Sequence, residues 1–140
     1  MNVDFLIAEE IRPEAGNKLM VLGLFPGNII ILLKRELQGA LPQGVSAGLD
    51  RLSILATITG APDGLHKFKG RIVDPTGNLY QPEAVLGEAY TKVGFAHTVI
   101  VELKPFVIKQ MGFFSFEFFV NEEKFVYKFE IREQLQPASS

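Results

Sequence analysis

Short runs of alternating apolar and polar residues recur along this chain, and most end on glycine, proline or asparagine. From Val3 to Ile11, Val3, Phe5 and Ile7 alternate with Asp4, Leu6 and Ala8. Pro13 to Asn17 then reads as a turn, with Gly16 and Asn17 suited to positive φ. Lys18 to Phe25 is a second strand, stopped by Pro26-Gly27-Asn28, and Ile29 to Leu33 is a continuous apolar run that suits a strand covered on both faces. Alternation returns from Asp50 to Gly60, where Leu52, Ile54, Ala56 and Ile58 share a face opposite Ser53, Leu55, Thr57 and Thr59. After the turn Ala61 to Gly64, Lys67 to Val73 puts Phe68, Gly70 and Ile72 inward and Lys67, Lys69 and Arg71 outward. Phe95 to Leu103 is another strand, and Phe106 and Ile108 are placed to cap the core. Two segments resist this reading. Lys34 to Gly48 is long and rich in glycine and proline for a loop, and Gln81 to Val93 has Pro82 ahead of a stretch that suits one or two helical turns, although Gly87 argues against them.

The pattern is sharpest from Phe113 to Arg132. Phe114, Phe116, Phe118 and Val120 fall on one face of a hairpin with Phe125, Tyr127, Phe129 and Ile131. A turn at Glu122-Glu123 sets Val120 against Phe125, Phe118 against Tyr127, Phe116 against Phe129 and Phe114 against Ile131. On the opposite face this register pairs Glu117 with Lys128 and puts Arg132 beside Phe113. Phe113, Phe119 and Val126 then lie on the outer face, a candidate interaction surface unless the Lys34 to Gly48 loop covers them.

Many short strands with turns between them, and no long helix to cover a single sheet, predict an all-β fold. The expected architecture is a two-sheet antiparallel β-sandwich of seven or eight strands, one domain over residues 1–133, with a flexible tail at 134–140. A chain of 140 residues that is 47% hydrophobic can bury a core without staples. Twelve phenylalanines with no tryptophan fit a pleated, half-buried surface.

Charge and composition narrow the chemistry. With no cysteine, thiolate metal sites, disulfides and cysteine nucleophiles are excluded, and a reducing, cytoplasmic setting fits. A net charge of -2 offers no electrostatic footprint for nucleic acid or an anionic membrane. The first ten residues lack the basic, apolar pattern of a signal peptide, and no apolar run reaches the roughly 20 residues of a membrane helix. Of the two histidines, His66 follows a turn and reads as solvent-facing, whereas His97 shares a face with Val99 and Val101 and reads as a core-edge residue. No HExxH, GxSxG, SxxK, GxGxxG or Walker pattern is present. The pairs Glu9-Glu10 and Glu122-Glu123 point to opposite faces of a strand or sit in a turn, so neither makes a shared acid–base site. Asp63 and Asp74 lie in loops that would need to meet at one end to bind calcium, and there is no DxDxDG pattern. No catalytic residue, metal ligand or cofactor site is therefore assigned.

The opening, Val3 to Arg12 followed by Gly16-Asn17-Lys18-Leu19 and Gly23-Leu24-Phe25, resembles a bacterial family of unknown function. Its members are short and single-domain. They begin with an acidic strand and a glycine-punctuated hairpin, and close with a strand, polar turn and strand like Gly112 to Phe118 and Phe125 to Ile131. The resemblance implies an immunoglobulin-like sandwich and supplies no catalytic residues. The functional expectation is a soluble, non-enzymatic β-sandwich module acting through contact with a protein partner or with itself. The alternative is a small-ligand or carbohydrate-binding sandwich using loops at one end, with Tyr80, Tyr90 and Asp74 nearby.

Overall fold

Nearly every alternating segment becomes a strand. A computed structural model of the chain describes residues 1–33 and 47–134, so the Lys34 to Gly48 loop lies outside the described residues except at its end, as does the 134–140 tail beyond Gln134. The strands are β1 Asn2–Glu14, β2 Lys18–Leu24, β3 Ile29–Leu33, β4 Ala47–Leu49, β5 Leu52–Thr59, β6 Gly64–Val73, β7 Leu79–Thr91, β8 His97–Leu103, β9 Phe106–Ile108, β10 Gly112–Val120 and β11 Glu123–Gln134. The first sheet has the order β2-β1-β5-β8 and the second β3-β11-β10-β6-β7, with β4 and β9 as a separate short ribbon. Pairing is antiparallel except between β3 and β11, which makes the second sheet mixed. Eleven strands lie among the described residues, against the seven or eight expected, because the β4–β9 ribbon and the Gln81 region each add to the count. The one helical element described is a single 3-10 turn at Pro26–Asn28, and among the described residues no helix is long and apolar enough to cross a membrane.

The sheets meet through an aromatic layer. Phe114, Phe116, Phe118 and Phe129 are all but fully buried on the inner face of the second sheet. Phe5 reaches in from the first sheet, edge-on to Phe116 and Phe118 at 6.0 Å and stacked on Tyr127 at 5.0 Å. Each such ring contributes about 1.5–3 kcal/mol through burial, with a further increment from aromatic geometry. The Tyr127 hydroxyl donates to Asn28 Oδ1 at 2.5 Å, tying the 3-10 turn that carries the chain between sheets to β11. Burial pushes that phenol up to about 12, so it stays a donor at any ordinary pH. Phe106 and Ile108 are fully buried and close the core, as their spacing predicts.

Several expectations are corrected. The final hairpin turns at Asn121-Glu122, so Val120 faces Glu123, Phe118 faces Phe125, Phe116 faces Tyr127 and Phe114 faces Phe129. The register differs from the expected one by two residues, which keeps every side chain on its face and changes every partner. Asn121 decides it. This residue adopts φ 54° and starts the turn, one position earlier than the glutamates would. Gln81 to Val93 is not helical. It is most of β7, whose pairing with β6 outweighs the local helix preference. Three register shifts leave an extra residue on β7 each time and absorb Pro82 and Leu86 into bulges. β3 is covered on one face only: Ile30 and Leu32 are buried, and Ile31 is exposed. The strand expected from Phe95 begins at His97.

Gly70 illustrates how tightly the layer is packed. A Cβ there would sit 2.7 Å from Phe116 Cε1 and 3.0 Å from Leu86 Cδ1. The bare backbone makes room for the ring. Gly70→Ala should therefore lower stability by about 1–3 kcal/mol, seen as a reduced urea midpoint with an unchanged slope. An unaltered midpoint would mean that the Phe116 ring moves aside without cost.

Candidate functional site

Alternation on β10 and β11 sends Phe113, Phe119 and Val126 outward, as the sequence predicts, but it sets Phe113 apart from the other two. Phe113 lies beside Glu130, Val126 beside Glu117, and Phe119 beside Lys124 and Lys69. Phe113 and Phe119 are six residues apart on one strand, about 20 Å, with Ser115 and Glu117 between them. Phe113 is 61% and Val126 48% exposed. Phe119 is half-buried under the Arg71 guanidinium, 5.5 Å from its ring centroid. The cover found for Phe119 is thus a side chain of β6, while the Lys34 to Gly48 loop lies outside the described residues.

Glu117 organises this face. Its carboxylate accepts from Arg71 Nε on β6 and pairs with Lys124 Nζ at 2.8 Å, diagonally across the hairpin. Neither partner is the expected Lys128, which lies opposite Ser115. Nor does Arg132 meet Phe113. It pairs with Glu130 at 2.8 Å. The hydrogen bond from Lys124, then that from Arg71, holds the Glu117 carboxyl below the usual carboxylate range. A depressed folded-state value contributes stability that is present above the ordinary glutamate range and is lost as pH falls through the folded value.

The histidines and carboxylates are mostly committed to structure. His66 is buried rather than solvent-facing. One ring nitrogen, Nε2, donates to the Pro62 carbonyl at 2.9 Å, and Nδ1 accepts from Asn121 Nδ2 at 2.8 Å. Asn121 Oδ1 in turn accepts from the Lys67 amide at 2.9 Å. This chain of bonds fixes the imidazole tautomer and leaves neither nitrogen free. His97 is half-buried and stacked on Phe68, with centroids 5.6 Å apart, as a core-edge residue should be. Asp63 and Asp74 flank opposite ends of β6 and do not meet. Asp63 accepts from the Val93 amide. Asp74 caps its own turn through Thr76 and Asn78, and the Thr76 hydroxyl leads in holding its carboxyl below the usual range. Glu10 is engaged by Arg12 and Arg51. Glu122 and Glu123 are exposed at the turn. Among the described residues, no group of three or more His, Cys, Asp or Glu could hold a metal ion.

Tyr80, Tyr90 and Asp74 are not brought to one end either. Tyr80 and Tyr90 sit ten residues apart on β7, about 33 Å if fully extended. Tyr80 is occupied structurally: its ring packs on Phe106 and Phe114, and its hydroxyl accepts from the Val107 amide at 3.0 Å. Tyr90 instead belongs to an open apolar end that the strand patterns do not reveal. There, Tyr90 is 79%, Phe95 71%, Val93 66% and Leu65 52% exposed. Leu65 is the cross-strand partner of Tyr90, and Tyr90 and Phe95 line one cleft with Lys92 and His97. The signal available in the sequence is Phe95, an aromatic residue just after Gly94 in a turn.

No family model and no curated protein matches the chain. Among solved structures, the chain is similar to Pseudomonas fluorescens alkylpurine DNA glycosylase AlkC bound to DNA containing an abasic site analog, with 18% sequence identity and a TM-score of 0.48. The match covers 76% of this chain and spans 28% of that protein's length.

Glu117→Gln should cost about 1–2 kcal/mol at neutral pH. The gap to wild type should close as pH falls below the ordinary glutamate range, because the protonated acid and the amide then resemble each other. Denaturant titrations at a series of pH values test this. A gap that stays constant down to low pH would rule out the ion pairs as its source.

Proposed function

We propose that the chain is a non-enzymatic binding module that acts through protein–protein contact, with the Leu65, Tyr90, Val93 and Phe95 end as its contact surface. The observation that carries this reading is the exposure of those four side chains, with Leu65 cross-strand from Tyr90 and the Tyr90 and Phe95 rings lining one cleft. Rigid aromatic rings supply large contact area at low entropic cost and dominate the energy of many interfaces. The polar side chains described elsewhere on the molecule are spent on capping, pairing and turn geometry, which argues for binding rather than bond-making. Phe113 and Val126, on the outer face of the second sheet, form a secondary apolar region set apart from that end by Glu117, Arg71 and Lys69.

An immunoglobulin-like topology, and with it the bacterial family that the opening resembles, is part of the same proposal. Its support is the strand order of the second sheet, in which β3 lies parallel to the last strand, β11, ahead of β10, β6 and β7. Cysteine-free composition supports a reducing, cytoplasmic setting.

A second reading has one observation in its favour. The Tyr90–Phe95 cleft encloses about 290 Å³ and carries Lys92, Thr91 and His97 on its walls, which suits a small ligand such as a sugar stacked on a ring. The two readings separate in one variant. Tyr90→Ser with Phe95→Ser should leave the melting temperature within a few degrees and abolish capture of a partner from the host lysate. Capture that survives the double change overturns the contact reading. A thermal shift with a sugar or nucleotide that the double change removes would favour the ligand instead.

A further inference from the structure

The two edge strands on one side of the sandwich are β7 in the second sheet and β8 in the first. Between them a pocket of about 140 Å³ runs inward, walled by Ile72, Leu86, Val101, Leu103 and Phe116. Ile72, Leu103 and Phe116 are buried and form its floor, while Leu86 and Val101 stay partly exposed at its mouth. The sequence makes this space in two places. Gly70 is an inward position of β6 without a side chain, and Phe116 Cε1 and Leu86 Cδ1 converge over it. Leu86 is the extra residue of the bulge where Phe68 pairs with Gly87 and Lys69 with Val85. A bulge bends its strand and re-aims a side chain, here Leu86, which packs against the core.

We infer that this pocket is a binding site for one small, uncharged aromatic ring carrying a hydrogen-bonding substituent, as in a phenol. Size sets the first limit. A hydrocarbon-lined cavity of about 150 Å³ takes up one benzene ring, so the pocket admits a single six-membered ring and excludes a fused pair. The walls set the second. Their apolar side chains offer dispersion contacts and no partner for a charge, and Phe116 lets a flat ring pack edge-to-face or offset. Charges near the mouth are already matched: Arg71 pairs with Glu117, and Glu102 with Arg51 at 3.6 Å. The third limit is the rim. It is formed by β7 at Gln81 and β8 at Glu102, strands with no further strand beyond them among the described residues. Edge backbone and the Gln81 amide offer donors and acceptors there, which keeps a polar substituent outward and the ring inward. None of these residues belongs to the Tyr90 end, so this inference stands or falls separately from the contact surface proposed above.

Methyl NMR of the full chain, titrated with phenol, tests it. Phenol should shift the Ile72, Leu86, Val101 and Leu103 methyl signals together, with one dissociation constant on the order of 1 mM or below. Benzoate, which adds a charge, and 1-naphthol, which adds a ring, should each bind about tenfold more weakly or worse. Val101→Phe fills the pocket with a ring of its own and should abolish the response while the fold is kept. Val101→Ala carries the test if that variant misfolds, because the enlarged pocket should bind 1-naphthol about tenfold more tightly than the wild type does. Any one of these results overturns the inference: methyl signals unmoved by phenol, benzoate or 1-naphthol bound by the wild type as tightly as phenol, a response that survives in folded Val101→Phe, or a Val101→Ala pocket that gains nothing for 1-naphthol.

Discussion

Everything in this molecule depends on the insertion of Phe5 among Phe116, Phe118 and Tyr127. The first sheet contributes mostly aliphatic side chains, Ile7, Ile54, Ala56 and Ile58, to the interior. The second contributes rings. Phe5 supplies a phenyl ring from the first sheet to the other's layer, with two edge contacts and one stacked contact, and His97 adds a stacked contact on Phe68. Ring geometry is directional in a way that aliphatic packing is not. It therefore fixes how the sheets are placed over one another, and Gly70 must stay small to accommodate it. The Tyr127–Asn28 hydrogen bond holds the chain's crossing point beside that contact.

The outer face of the second sheet obeys a different rule. Strand pairing forces Phe119 outward, and the sequence offsets that exposure with Arg71, which covers the ring while paired to Glu117. One carboxylate thus links β6, β10 and β11. The same sheet ends in an apolar cluster around Tyr90 that has no such cover among the described residues. Contrast between a covered ring and open ones, within one sheet, is the main reason to look for function at that end.

Much of the architecture was legible in the alternation of residues. The inner faces of β1, β5, β6, β10 and β11 follow it, and Gly16-Asn17 takes the positive φ that their types suit. What stayed hidden has identifiable causes. Charge pairing within the last hairpin pointed to Lys128 because the expected register is two residues off; the observed turn brings Lys124 to Glu117 instead, and the second cation, Arg71, comes from a strand far away in sequence. Helix-compatible residues masked β7, whose conformation is set by β6 rather than by local preference. His66 looked solvent-facing because the partner that buries it, Asn121, belongs to a turn about 50 residues later. The candidate site was the least legible part. Exposure of Tyr90 and Phe95 depends on which neighbours are missing, and alternation does not encode that.

The parallel pairing of β3 with β11 bears on how the chain is made. Ile29 waits for Glu130, about a hundred residues further on, and long-range pairing of this kind is slow to form. Most of the aromatic layer also lies in β10 and β11. A ribosome therefore releases the first sheet's strands well before the surface they are shaped to cover. Until the last strand emerges, the apolar faces of β1, β3 and β5 have no permanent partner, and the nascent chain is most exposed to chaperones and to misassembly in that interval.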